Sequence, residues 1–441
     1  MAMVVKNNMS ALSTLNTLNR NTKALSKSLQ KVSSGMKINS AADDASGYAI
    51  SERMRVQIRS LDQANSNAQN GGSMMKVAEG AVSSTVEILK TLKEKAVNAA
   101  NDTNTDADRQ TIQKELDQSI DQINDNANVT FNGQYLVDGS KNSKTTGTST
   151  ALTNQSLSTD TASGTGLTDL KARNGDSLNI QSTDTVTVSW VKDGKTYTAS
   201  TEVGTKSTLN SIMTSLKTAD SHNLSDDVKL SAKNTSYIEM DGSNNTVYTA
   251  SGENAITITS KGTGIENQIS GFTISITDNT GAVRKSANAA LDAFDETLRA
   301  QNKSVDNSIN LQIGTKANQT IKVGLTDMKA QALGLQGKDN NTIQVGNQKQ
   351  ANAAINVLDA AIQKALDQQT TIGAVQSRLE YTQSNLTTAS ENVTAAESTI
   401  RDADMAKEMT EYTKNNVLMQ AAQSMLAQAN QSSSNVLSLL Q

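Results

Sequence analysis

Cysteine is absent from this chain. Its absence excludes a disulfide framework, Cys-ligated zinc, an iron–sulfur cluster and a thiol nucleophile, and leaves the redox compartment unmarked. Proline is absent too, across 441 residues, where average usage of about 5% would place roughly twenty. No helix is interrupted by it, and no prolyl isomerisation delays folding. Aromatic residues amount to 2% and hydrophobic residues to 36%, so the core is thin. The one histidine, His222, excludes a two-histidine zinc motif and leaves a Ser-His-Asp arrangement a single candidate base, set in a Ser-, Asn- and Asp-rich loop. A solvated loop histidine is the expected reading; no enzyme activity, metal or cofactor is expected. No apolar run reaches the ~18 residues of a membrane span, and the start lacks the apolar stretch of a cleaved signal peptide. Membrane insertion is not expected. A net charge of −4 gives no pull on nucleic acid, although residues 1 to 40 carry Lys6, Arg20, Lys23, Lys27, Lys31 and Lys37 without an acid. Such a basic stripe also suits acidic lipid, phosphate or a transit peptide.

What the chain does contain is seven-residue periodicity at both ends. Leu61, Ala68, Met75, Val82, Leu89 and Ala96 form one ladder, and Leu358, Ala365, Ile372, Leu379, Leu386, Val393 and Ile400 form another. A second apolar row lies three positions on, through Ala64, Gly71, Ala78, Leu92 and Ala99 and through Ala361, Val375, Ala389, Ala396 and Ala403. These rows make an a/d seam. At ~1.5 Å per residue each ladder spans roughly 60 Å, far beyond the average helix of about 11 residues. The pattern predicts two long helices that face each other from opposite ends of an assembling, rod-like protein.

Residues 9 to 36 read as an amphipathic helix: Met9, Leu12, Leu15 and Leu18 lead into Leu25, Leu29, Val32 and Met36. After a turn at Ser34 and Gly35 and a loop from Asn39 to Asp44, the second helix runs towards Ala100. A third, capped near Thr105, carries Ile112, Leu116, Ile120, Ile123 and Ala127 on one side. From about Ser140 the composition shifts to Ser, Thr, Asn, Asp and Gly. Alternating runs at Thr185 to Trp190, Ala255 to Thr259 and Phe272 to Ile276 predict half-buried strands. Asp193-Gly194 signals a hairpin and Asp241-Gly242 a turn. A helix is expected around Leu209 to Leu216, helical character again at Ala287 to Ala300, and strands at Ile309 to Ile313 and Thr320 to Val323. Beyond Ile400 the apolar register slips, because Met405, Tyr412, Met419 and Leu426 are seven apart but out of phase; a hinge falls at Arg401 to Met405. The final 27 residues, Asn415 to Gln441, carry no charge, which predicts burial against further copies.

Two carboxylate pairs could be offered as acid–base or metal groups, Asp43-Asp44 and Asp402-Ala403-Asp404. Both stand where helices begin, so capping is the expected role. Gly262-Thr263-Gly264 lacks the strand-to-helix setting of a nucleotide loop and reads as a turn. Trp190 and Tyr197 flank the predicted hairpin and are expected in its core.

Ser34 to Ile50, SGMKINSAADDASGYAI, closely resembles a segment of bacterial flagellins, with Asn39, Asp43, Asp44 and Gly47 in the family's turn motif. At the other end ESTIRDAD (Glu397 to Asp404), MLAQANQ (Met425 to Gln431) and NVLSLL (Asn435 to Leu440) resemble the flagellin C-terminus. The resemblance covers roughly the first 140 and last 135 residues. It implies a fold of α-helical coiled-coil bundle from both termini with an inserted β-rich outer domain. It further implies a filament subunit exported unfolded through the flagellar type III channel, served by an export chaperone, a cap protein and hook–filament junction proteins. Carried onto this chain, it places residues 1–44 and 401–441 in an inner core, 45–143 and 303–400 in a surrounding helical shell, and 144–302 in a variable surface domain. Termini of this kind are expected to order on assembly. Flagellins sensed by the innate Toll-like receptor carry arginine and leucine four apart on the second helix and glutamate on the third; here Thr91, Lys95 and Glu115 stand there. Proline, common in the family near the penultimate turn, is replaced by Ser432 to Ser434. Two other readings are a hook–filament junction protein and a surface-binding or adhesin module in the β-rich middle.

Overall fold

The computed structural model describes residues 8–216, 218, 223–231 and 236–439; His222 and Lys6 lie outside them. The chain divides into two compact units. One comprises Met1–Ala68, Gln312–Gln319 and Tyr381–Gln441, the other Gln69–Leu311 and Thr320–Glu380. The helices are α1 (Met9–Ser34), α2 (Ala45–Ala99), α3 (Asp106–Ala127), the short α4 (Leu209–Ser215), α5 (Leu224–Asp227) and α6 (Lys285–Leu291), then α7 (Gln348–Arg401) and α8 (Met405–Leu439). The strands are β1 (Thr130–Phe131), β2 (Gln134–Tyr135), β3 (Ala151–Asn154), β4 (Thr185–Lys192), β5 (Lys195–Glu202), β6 (Val228–Leu230), β7 (Tyr237–Met240), β8 (Thr246–Tyr248), β9 (Ile256–Ser260), β10 (Ile269–Thr277), β11 (Phe294–Leu298), β12 (Ile309–Gln312) and β13 (Thr320–Val323).

In the larger unit the predicted seam is buried. Met75, Ala78, Val82, Leu89, Leu92 and Ala96 of α2, and Leu358, Ala361, Ala365, Ile372 and Leu379 of α7, are at most 1% exposed. Gln376 Nε2 donates to Glu79 Oε2 at 2.7 Å and Lys93 pairs with Asp359, so the helices run antiparallel here. Helix α3 completes the bundle with Leu116, Ile120 and Ile123, all fully buried, each worth roughly 2 kcal/mol relative to exposure. Its start is a capping box: Thr105 Oγ1 accepts from Asp108 N, and the Asp108 carboxylate accepts from Thr105 N at 2.9 Å. Arg109, buried on the same turn, donates from Nε to Ala99 O and from Nη2 to Asn101 O, closing the C-terminus of α2.

Among the described residues the inserted segment builds three antiparallel sheets, β10-β4-β5, β11-β3-β9-β6 and the two-stranded β7-β8. One apolar cluster takes Val186, Val188, Trp190, Ile274 and Ile276 from the first and Leu152, Ile256, Ile258 and Val228 from the second. Trp190 is fully buried, stacks on Tyr197 at 5.5 Å and donates its indole N–H to Asp227 Oδ2 at 3.0 Å, as its place in a strand core demands. The β4–β5 turn is the predicted Asp193-Gly194, with φ of 54° and 72°, values that suit a two-residue hairpin. Its tip rests against the 337–341 loop, where Lys338 N donates to Asp193 Oδ1 at 2.7 Å. Asn132 and Gly133 make the same turn between β1 and β2.

One element departs from the sequence pattern. The helical character expected over Ala287 to Ala300 ends at Leu291, and Phe294–Leu298 is strand β11, paired with β3. The ladder edge of β3 and the ring of Phe272, 5.2 Å from that of Phe294, outweigh a local helical propensity spread over few residues. The Asp241-Gly242 turn is also longer than a tight hairpin. Asp241 Oδ1 accepts from Ser243 N and Asn245 N, and the left-handed residue is Asn244.

Candidate assembly interface

In the smaller unit α1 and α8 lie antiparallel. Asn8 caps α1, its Oδ1 accepting from Ala11 N, and its Nδ2 reaches Ala429 O at 3.1 Å. Further along, Asn21 Nδ2 donates to Leu418 O at 3.1 Å, Asn415 Nδ2 to Ser28 Oγ at 3.1 Å, and Lys31 Nζ meets Glu408 Oε1 at 3.2 Å. Gly35, with φ 71°, ends α1 by donating its N–H to Lys31 O. Asp404 Oδ1 accepts from Ala406 N and Lys407 N at the start of α8, the capping role expected of it.

This pairing satisfies half of the apolar surface. Leu18, Leu25 and Val32 of α1 and Tyr412, Met419 and Leu426 of α8 are half-buried, and Ala422 is buried. Leu12, Leu15, Leu29 and Met405 are not covered. With Met9, Met409, Val417, Leu418 and Met425 they stand between 41% and 69% exposed. An isolated surface leucine needs no explanation, but rows of them on two adjacent helices do. The seam in this unit is graded likewise: Leu61, Ala64 and Ala68 are buried, whereas Leu386, Val393 and Ile400 are half-buried. Asn65 Nδ2 donates to Thr387 Oγ1 and Ser390 Oγ to Asp62 Oδ1, again antiparallel.

The turn-motif residues build the joint between α1 and α2. Asn39 Nδ2 donates to Met36 O, Asp43 Oδ2 accepts from the N–H groups of Asn39 and Ser40, and Asp44 Oδ1 accepts from Ser46 N and Gly47 N at 3.0 Å. A Cβ on Gly47 would lie 2.5 Å from Asp44 Oδ2 and 2.7 Å from Ile38 Cδ1, so any larger residue there would displace the capping carboxylate and the isoleucine. The joint is tied to the α7–α8 break. Met36 bridges Asp402, Lys37 N donates to Arg401 O at 2.8 Å, and Ala403 N to Gly35 O at 2.9 Å. Arg401 is buried between them; Nη1 lies 2.6 Å from Glu52 Oε1, Nε 3.1 Å from Met36 Sδ, and the guanidinium 5.4 Å from the centre of the Tyr48 ring. The Arg401 hydrogen bond holds the Glu52 carboxyl below the usual carboxylate range. Sequence reasoning placed a hinge at Arg401 to Met405 but gave Arg401 and Tyr48 no role in it; the one signal was an arginine within the predicted break.

Two other groups of residues are placed. Lys95 and Glu115 form a 2.9 Å ion pair between α2 and α3, while Thr91 Oγ1 donates within its own helix to Glu87 O. Tyr237, Met240 and Tyr248 project from the β7–β8 hairpin, 42% to 55% exposed. Among the described residues no group of three or more His, Cys, Asp and Glu side chains could hold a metal ion, and no helix is long and apolar enough to cross a membrane.

The class that fold and surface define is a helical protein closed by both of its chain ends, with a strand-rich insertion. Residues 5–142 match the family model of the bacterial flagellin N-terminal helical region, and residues 355–440 that of the C-terminal helical region. A flagellin of Clostridium tyrobutyricum is 35% identical over 431 residues, covering 97% of this chain and 99% of that protein. One from Bacillus subtilis (strain 168) is 32% identical over 458 residues, covering 99% and 100%. The crystal structure of flagellar hook associated protein-3 from Legionella pneumophila is similar at 16% identity and a TM-score of 0.33, over 78% of this chain and 97% of that one. The chain belongs to the bacterial flagellins, the structural subunits of the flagellar filament.

Proposed function

We propose that this flagellin polymerises by covering the exposed apolar rows of α1 and α8 with the same helices of neighbouring copies, and that it has no catalytic role. The observation that carries this reading is that Leu12, Leu15, Val417 and Leu418 remain open although α1 and α8 are already paired. Burial of such side chains is worth roughly 2 kcal/mol each, and a chain end without charge, Asn415 onward, has no competing demand for water. Residues 1–44 with 401–441 form the inner layer, 45–143 with 303–400 the next, and 144–302 the surface domain. The seam positions Leu61, Ala68, Met75, Val82, Leu89, Leu358, Ile372, Leu379, Leu386, Val393 and Ile400 hold the second layer together. The filament is extracellular, reached by export of the unfolded chain with a chaperone and completed with cap and hook–filament junction proteins. With Thr91 and Lys95 at the receptor-facing positions, and Lys95 engaged by Glu115, activation of the innate receptor is weak.

Seeding the purified chain with short filament fragments and imaging it by negative stain, beside a version truncated after Ile400, tests the reading. Long filaments from the intact chain alone support it. Rings, or soluble monomer from the intact chain, favour a junction protein or a surface-binding module.

A further inference from the structure

Within the smaller unit, three chain segments meet at one side chain. Arg401 is the last residue of α7, and its side chain is 6% exposed. Its donors go to groups on separate segments: Met36 Sδ in the α1–α2 loop, Ser51 Oγ at 3.4 Å and Glu52 Oε1 at 2.6 Å on α2. The guanidinium carbon also lies over the Tyr48 ring. The other charged groups around it are Arg55, 3.5 Å from Glu52 and 3.7 Å from Glu397, so the buried cation is matched by one carboxylate that a second arginine shares. A planar guanidinium can serve a sulfur, a hydroxyl, a carboxylate and a ring face at once; an ammonium on a flexible stem cannot.

We propose that Arg401 is a positioning residue for polymerisation: it fixes the direction in which α1 and α8 leave the α2–α7 pair, and with it the placement of the apolar rows that neighbouring copies cover. The proposal rests on the assembly reading above. The backbone bonds of the joint, Lys37 N to Arg401 O and Ala403 N to Gly35 O, do not involve the side chain. With Lys37 Nζ on Thr399 O at 3.1 Å, they hold the two breaks together but do not reach α2. The side chain makes that link, because its partners lie on both the loop and α2. A filament repeats one subunit geometry along its length, so a small change of direction at this joint accumulates into a changed filament form.

The test is to prepare the Arg401→Gln, Arg401→Lys and Tyr48→Leu variants of the full chain, elongate each on parental seeds, and record elongation rate by light scattering and helical pitch by electron microscopy. Thermal unfolding of each monomer is measured alongside. Arg401→Gln is expected to elongate roughly tenfold more slowly and with altered pitch, as loss of a buried charge-assisted cluster implies. Arg401→Lys is expected to recover rate but not pitch, and Tyr48→Leu to shift pitch alone, both with an unfolding midpoint close to that of the parent, whereas the midpoint of Arg401→Gln falls by the few degrees that loss of a buried ion pair implies. Parental pitch and rate in Arg401→Gln would overturn the proposal. So would a collapsed unfolding midpoint in both Arg401 variants, which would make the residue a fold requirement only. If the parental chain itself fails to elongate, it is the assembly reading that falls.

Discussion

Gly271 sits directly on Val357: a Cβ at Gly271 would lie 2.6 Å from Val357 Cγ2 and 3.0 Å from Ala353 O. Strand β10 therefore touches the backbone of α7, and Asn356 Nδ2 donates to Phe272 O at 3.3 Å beside it. Gly271→Ala forces that contact apart and should cost about 1–3 kcal/mol, the usual penalty of overpacking. Urea unfolding measures it, and the Gly271→Ala, Val357→Ala double variant should regain part of the loss. A strictly additive pair would show the contact to be unimportant.

Asp292 opens onto a cavity between β10, β11 and α7. Although surface-exposed, its carboxyl is crowded by neighbouring atoms, and this desolvation pushes it up to about 6 against opposing hydrogen bonds from Ile274 N and Asn356. A carboxylate with a raised folded-state value costs stability as it ionises, so the loss grows as pH rises from about 4 through 6. Asp292→Asn should therefore be stabilising at pH 7.5 and neutral at pH 4. Given its exposure, the gain is on the order of 1 kcal/mol or less. Unfolding midpoints at both pH values check the sign, and an equal effect at both refutes it.

Arg109→Ala would leave the carbonyl of Ala99 without its donor, reduce Asn101 O to its bond from Asn104 N, and remove the Nη1 contact to Asp106 Oδ1 at 3.1 Å. A loss of about 2–4 kcal/mol is expected for a buried, multiply bonded arginine. Hydrogen exchange should quicken first in residues 99 to 109.

Leu12→Asp and Leu418→Asp alter side chains that are already solvent-facing in the single chain. Each should change monomer stability by no more than about 0.5 kcal/mol while abolishing seeded elongation. Normal filaments from either variant would show that these rows are not an interface.

Much of the architecture is legible in the sequence because it is governed by short-range periodicity. The ladders at Leu61 and Leu358 repeat every seven residues, and the out-of-phase Met405 marks the break after Arg401 that the structure places at Asp402 to Asp404. Asp193-Gly194 announces itself because few residue pairs accept two positive φ angles. Strand β11 does not, because its state is decided by β3, more than a hundred residues earlier. The sheet order β11-β3-β9-β6 is hidden for the same reason. Amphipathicity marked the apolar face of α1, but not which half of it α8 would cover. Nor does an arginine ending a helix disclose that it is buried.

The tip of the β4–β5 hairpin meets its neighbour backbone to backbone: a side-chain carbon on Gly194 would collide with Asn341 O, and one on Gly337 with Asp193 O. As a scaffold for displaying foreign peptides, the molecule is thus unsuited at this turn, where an added residue has no room. The turn at Thr280 and Gly281 is the contrary case, exposed and with open space around the glycine. A grafted loop placed there would face solvent, beyond the last residue of β10 paired with β4, Thr277.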